Sequence, residues 1–161
     1  MKPNIEKMPA FLFKWRFLIA IVISLTLLLL HGCKKKETTP IQDTYQQYFE
    51  ENVLNRDYIV EYASDNGTNL TSQFNGYVFK LFKNTFSDGP MTAIKSGNTF
   101  TGMWSSNDDY SKLVITLNQP SIPAEFNFIN RQWRFTKKAF PVMELGPWGS
   151  TETDTLHMRR L

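Results

Sequence analysis

Few side chains in this 161-residue chain are placed to do chemistry. Cys33 is the single cysteine, which excludes an internal disulfide and a thiolate zinc cluster. What remains open to its thiol is covalent modification. Of the two histidines, His31 lies just before Cys33, and His157 stands beside Met158 near the C-terminus. Alternation puts His157 on the outer side of its strand, and no Gly-x-Ser-x-Gly turn exists to present a nucleophile. Glu61 and Glu144 could form a carboxylate pair, but acids on strands are expected to face solvent. Asp65, Asn66, Asn69 and Thr71 bring oxygens close in sequence, as does Asn107-Asp108-Asp109. Calcium takes six or more oxygens around a sharp turn, and neither cluster has EF-hand spacing. Turn bonding to their own backbone is expected instead. No glycine-rich phosphate loop is present. These residues predict a non-enzymatic protein with no metal and no cofactor.

What precedes Cys33 points to the modification. Lys2, Lys7, Lys14 and Arg16 open the chain, Phe17 to Leu30 is uninterrupted by charge, and the small Gly32 comes just before Cys33. Basic, apolar, small is the order of a secretory signal. The apolar run is 14 residues long, short of the about 20 that a membrane-spanning helix needs. Leu30-His31-Gly32-Cys33 resembles the bacterial lipobox, with an aliphatic residue at −3 and a small one at −1; His31 departs from the usual −2 residue. The resemblance implies that residues 1–32 are removed and that Cys33 becomes an N-terminus acylated on sulfur and amine, for instance with palmitate. Several acyl chains anchor a protein firmly to a membrane. Residues 33–39 then read as the lipidated cysteine and a polar tether. Lys34, Lys35 and Lys36 either face anionic headgroups, worth about 1 kcal/mol each, or stay solvated.

The formal charge of +3 is misleading. Lys2, Lys7, Lys14 and Arg16, set against Glu6, account for all of it, so the mature chain is neutral. No electrostatic footprint for nucleic acid survives.

The elements that must position any site lie within residues 40–161, a length suited to one domain. Thr39 caps a helix, Pro40 fits its first position, and Gln42 completes a capping box. Ile41, Tyr45, Tyr48, Phe49 and Val53 recur at spacings of three and four, predicting an amphipathic helix over 40–54 whose aromatic stripe packs on the domain behind it. Its acidic polar face argues against a membrane-surface helix. From residue 57 onward, aromatic and β-branched runs alternate with Asn, Gly, Asp, Ser and Pro. Eight strands are predicted at 57–63, 74–83, 91–96, 99–105, 112–118, 132–138, 141–146 and 154–160, with turns at Asn66-Gly67, Asp88-Gly89-Pro90, Ser96-Gly97-Asn98, Ser106-Asn107-Asp108-Asp109, Lys138-Ala139 and Gly149-Ser150. Pro120 to Asn130, with its apolar Phe126, Phe128 and Ile129, is either a long loop or one helical turn. Each strand has one apolar face, for example Tyr58, Val60 and Tyr62, or Phe100, Gly102 and Trp104. Eight such antiparallel strands predict an all-β fold, a barrel or half-barrel with room inside for side chains or one small ligand.

Short motifs across residues 54–161 resemble the lipocalin-like (calycin-type) lipoproteins of the Bacteroidota. The first-strand pattern Leu-x-Gly-x-Trp-x-Val reads here Leu54, Arg56, Tyr58, Val60, so Arg56 and Tyr58 replace the Gly and Trp. A polar turn follows at Asp65-Asn66-Gly67 and Thr71, then Phe74, Gly76, Tyr77 and Phe79, then Gly102-Met103-Trp104, Trp133 and Leu156. The resemblance implies an eight-stranded lipocalin-like barrel and a non-enzymatic, ligand-binding role. It also implies the outer membrane. Lys34-Lys35-Lys36-Glu37 lacks the run of acids that would signal surface export, which favours the periplasmic face.

The candidate site is the aromatic interior. Tyr58, Tyr77, Phe79, Phe100, Trp104, Trp133 and Phe135, with Tyr62, would line a pocket for a small apolar or glycan-derived ligand. Two expectations follow. A binding module has a cavity of a few hundred Å³ walled by Trp104 and Trp133. An envelope interaction or scaffold protein has a filled interior and an exposed apolar patch on the helix or on Phe126 to Ile129. Trp148, in a turn, either contacts a sugar or protein or folds over the barrel end.

Overall fold

A computed structural model describes residues 40–137 and 141–161. The expected signal segment, Cys33, the expected tether up to Thr39 and the turn expected at Lys138-Ala139 lie outside the described residues. Helix α1 spans Pro40–Asn52. The chain leaves it through Asn55, whose φ of 56° lies in the left-handed region that Asn tolerates better than most residues. The Asn55 N–H donates to the Leu81 carbonyl at 2.7 Å, fixing the helix exit against the wall.

The strands are β1 (Asp57–Asp65), β2 (Thr68–Asn69), β3 (Val78–Leu81), β4 (Asp88–Lys95), β5 (Asn98–Ser106), β6 (Lys112–Gln119), β7 (Gln132–Lys137), β8 (Val142–Pro147) and β9 (Thr155–Arg160). Strand β2 is the two-residue return of a hairpin on β1. The other eight are antiparallel in the order β1-β3-β4-β5-β6-β7-β8-β9, and β9 pairs back onto β1 from Tyr58↔Arg160 to Ser64↔Thr155. That ladder makes a closed eight-stranded barrel rather than a half-barrel.

Inward positions alternate as the sequence predicts: Met91, Ala93, Leu113, Leu117, Trp133, Leu145, Leu156 and Met158 are all fully buried. Tyr62 is a correction. It was expected inside with Tyr58 and Val60, yet it is 38% exposed. The β1–β9 register shifts between Val60 and Tyr62, a bulge that leaves Glu61 over. One extra residue moves every later side chain to the other face, so Ala63 points inward and Tyr62 outward.

Four further expectations change. Asp88-Gly89-Pro90, expected as a turn, opens strand β4, and the turn falls just before it, where the Asn84 and Thr85 N–H groups donate to the Asp88 carbonyl. The strand predicted over 74–83 is shorter, because Thr71–Phe74 forms a 3-10 helix and Gly76 turns the chain at φ 83° before β3 begins. The helix stripe is narrower than expected: Phe49 and Val53 are buried, but Tyr45 and Tyr48 are 47% and 36% exposed. The barrel mouth admits only the last turn of the helix. Phe126–Ile129 is one helical turn, α2, and its Phe126, Phe128 and Ile129 are core residues rather than a surface patch.

Candidate functional site

The seven residues singled out as an interior lining do converge. Tyr58, Tyr77, Phe79, Trp104 and Trp133 are at most 3% exposed, and Phe100 and Phe135 pack against them. Rings from the two helical elements join them, Phe49 as the helix periodicity predicts and Phe126 from a turn it left open. At the end of the barrel where β1 starts, α1 inserts Phe49, whose ring centroid lies 5.5 Å from Trp104, 4.8 Å from Tyr110 and 5.9 Å, edge-on, from Phe135. At the opposite end, α2 inserts Phe126, 5.1 Å from Tyr77, 6.2 Å from Phe79 and 5.2 Å, edge-on, from Phe100. Phe128 reaches Trp133 at 5.4 Å and Phe74 at 6.2 Å. These centroid separations are those of aromatic pairs in contact.

The polar tips of the aromatics are engaged as well. Tyr58 donates to the Asn52 carbonyl at 2.8 Å, and Tyr110 to the Phe86 carbonyl at 2.7 Å. Trp104 donates to the Phe82 carbonyl at 2.6 Å, and Trp133 to the Ile129 carbonyl at 2.9 Å. Tyr77 donates to Glu125 Oε1 at 2.8 Å, with the Lys95 ammonium 4.5 Å above its ring. Burial pushes the Tyr58 hydroxyl up to about 12, against the pull of Arg160 and Arg56. Burial and the Glu125 carboxylate do the same to Tyr77, also to about 12. Tyr110 is raised by burial, with Glu50 and Asp108 adding to it. All three phenols stay protonated donors far above neutrality. Among the described residues, Arg56 Nε is the buried side-chain nitrogen without a hydrogen-bond partner.

Two glycines make this packing possible. A Cβ on Gly89 would fall 1.9 Å from the Phe82 carbonyl oxygen and 2.9 Å from Trp104 Nε1, across the bond that holds the indole. A Cβ on Gly102 would fall 1.8 Å from the Thr116 carbonyl oxygen, where the β5–β6 register shifts between Thr101 and Gly102. The Gly102-Met103-Trp104 motif thus has a steric reason: the glycine lets the neighbouring strand close in beside the tryptophan.

Sequence reasoning missed two polar devices at the α2 end. Asn130 acts as a substitute peptide group, accepting from the Leu117 N–H at 2.7 Å and donating to the Leu117 carbonyl at 2.8 Å. It extends β6 pairing beyond Val114↔Gln132, where the β6–β7 ladder ends. Asp154, 3% exposed, pairs with Arg131 and accepts the Asn66 N–H at 3.0 Å. The Arg131 guanidinium lies over Phe128 at 4.8 Å and Trp133 at 5.3 Å. A lone Asp between threonines carries no sequence signal for such a pair. Arg56 and Tyr58 both bond to α1: Arg56 donates to the Glu51 carbonyl at 3.2 Å and Tyr58 to the Asn52 carbonyl.

The other candidates spread over the surface. His157 faces outward, 5.4 Å from the Tyr62 ring and opposite Glu144 in register. Glu61 is engaged by Arg159 at 3.2 Å and Glu144 by Lys137 at 3.1 Å, so the two carboxylates do not form a pair. The Asx clusters serve their own turns: Asn69 accepts the Thr71 N–H at 2.9 Å, Asn107 the Lys112 N–H at 2.9 Å and Asp109 the Ser111 N–H at 3.0 Å. Among the described residues, no three His, Cys, Asp or Glu side chains cluster around a common point. Trp148 is 39% exposed beneath the Lys112 ammonium at 5.3 Å. Compared with protein-family models, curated proteins and solved structures, the chain matches none of them.

Proposed function

We propose that this chain is a non-enzymatic lipoprotein of the bacterial envelope, anchored through acylated Cys33, whose barrel is a filled scaffold rather than a container for a small ligand. The observation that carries the scaffold reading is the double stopper. Phe49 and Phe126 enter from opposite ends, and the tyrosines and tryptophans of the lining spend their polar groups on internal partners. A ligand site needs a few converging polar groups left free to orient its guest. To admit a guest here, a stopper would have to withdraw and leave buried aromatic surface to water. The anchor reading is supported by the order of basic, apolar and small residues before Cys33, and the outer membrane's periplasmic face by Lys34-Lys35-Lys36-Glu37.

Two measurements test the two halves. Labelled palmitate should enter the wild-type chain in cells and be absent from Cys33→Ser. A purified Cys33→Ser chain should show no saturable uptake of an apolar naphthalene-sulfonate dye. Saturable one-to-one dye binding that quenches tryptophan fluorescence would overturn the scaffold reading and restore the ligand-binding one.

A further inference from the structure

Like charges directly opposite each other on paired strands repel and cost stability. The outer wall of this barrel holds such a pair. Lys112 of β6 faces Arg134 of β7 in register. One position away, the Phe135 N–H donates to the Ser111 carbonyl at 3.0 Å. That makes Lys112↔Arg134 a non-hydrogen-bonded pair, the kind whose side chains approach most closely. Among the described residues, neither cation is paired with a carboxylate. Acids on neighbouring segments are committed elsewhere: Glu144 to Lys137 at 3.1 Å, and Asp109 to the Ser111 N–H and hydroxyl. Around the two cations the same face presents groups of another kind. Arg134 lies across Gly146 of β8, its register partner, with its Nε 3.5 Å from where a Cβ would stand. Two residues on, Trp148 is 39% exposed, with the Lys112 ammonium 5.3 Å from its ring centre. The Trp148 N–H donates to the Gln132 carbonyl at 3.0 Å, which pins it beside β7. There Gln132 holds out an exposed amide.

We infer that this wall binds an acidic saccharide, a sugar ring carrying a carboxylate. The Arg134 fork and the Lys112 ammonium take the acid group, whose charge offsets their repulsion. Lys112 leaves the indole to do so, because a hydrogen bond between ionised groups outweighs a cation–π contact at an exposed site. The uncovered ring then receives the apolar C–H face of the sugar. The Gln132 amide, donor and acceptor at once, serves a hydroxyl. Acid group, C–H face and hydroxyls are the three kinds of contact that such a ring offers, and this wall answers each. A neutral sugar would leave the cations repelling. A peptide fits less well: β6, β7 and β8 are each paired on both sides, so no strand edge is free to add an extended segment. The site goes beyond the scaffold reading and needs neither the acyl anchor nor an open interior. The filled barrel keeps the strands beneath it rigid, which holds the groups in place.

The test uses the full wild-type chain in detergent, titrated by calorimetry with tri-galacturonic acid. One molecule should bind with a Kd of about 1 mM, the strength of a shallow site with few contacts. The methyl-esterified trisaccharide keeps the ring and lacks the charge, and should bind at least about tenfold more weakly. Arg134→Gln should weaken binding about tenfold. It should also raise the thermal midpoint of the unliganded chain by about 1–3 °C, because the repulsion is relieved. Damage to the fold would lower both, so the opposite signs separate a lost site from a lost structure. Trp148→Ala should weaken binding by a similar factor, and Lys80→Gln, on β3, should leave it unchanged. No saturation by about 10 mM, equal binding of the ester, or unchanged affinity in Arg134→Gln and Trp148→Ala would overturn the site. So would equally strong competition by inorganic phosphate or by tetra-glutamate, since the cations would then be taking any anion or an acidic peptide. The micromolar dye that probes the interior leaves a millimolar outer site unfilled, so the two readings fail independently.

Discussion

Single side chains set how this interior responds to pH. Tyr58 has a folded-state pKa of about 12 against an ordinary 10 because its hydroxyl is buried. Folding therefore favours the protonated phenol. The stability this contributes is complete below pH 10 and is lost as pH rises from 10 towards 12, with a slope of up to about 1.4 kcal/mol per pH unit for one such group. Urea midpoints of the wild type should fall more steeply over that interval than those of Tyr58→Phe, which cannot ionise there. At neutral pH the same substitution should cost about 1 kcal/mol, since the Asn52 carbonyl loses its donor. Identical slopes for the two proteins would mean that the hydroxyl reaches water. The position of Tyr58 on an inward face was legible from alternation; its partner was not, because that carbonyl belongs to the end of a helix rather than to a neighbouring strand.

The helical elements matter more than their length suggests. Helix α2 is four residues long, too short to be stable by its own hydrogen bonds, and is held by what it buries. Phe126→Ala removes a ring packed on Tyr77, Phe79 and Phe100 and should cost about 3–5 kcal/mol. It should also leave an apolar void about the size of a benzene ring, able to bind benzene where the wild type should not. A variant of undiminished stability would show that the α2 plug is dispensable. The sequence flagged Phe126, Phe128 and Ile129 as apolar but could not tell an exposed patch from a plug, since a single helical turn has no periodicity to read. For α1 the periodicity was readable and overstated the buried face: a stripe records where apolar residues lie, and the width of the receiving mouth decides how many are covered.

At the scale of the whole molecule, closure is uneven. Strands β4 and β5 pair along eight register positions from Asp88↔Ser105 to Lys95↔Asn98, whereas β1 and β3 share two, Asp57↔Lys80 and Tyr58↔Phe79. The β1–β3 seam is where the barrel should open first, because the fewest ladder bonds must break. Amide exchange should be slowest across β4 and β5 and faster by at least an order of magnitude at Lys80 and its neighbours. Uniform protection around the barrel would show that the 3-10 helix and β2 seal the seam as well as a full ladder would.

The sequence by itself missed the short β2 and the true starts of β3 and β4; it determined the eight strands of the barrel wall, the approximate limits of six of them, the preceding helix, the inward set around Trp104 and Trp133, and the outward position of His157. These follow from local periodicity, which depends only on residues near in sequence. Tertiary structure alone decided the β1 bulge that turns Tyr62 outward, the Arg131–Asp154 pair, the Asn130 bridge and the two aromatic stoppers. Each joins groups from separate elements or rests on a one-residue offset between strands. Such contacts exist only once the barrel has closed and brought its distant parts to within bonding distance.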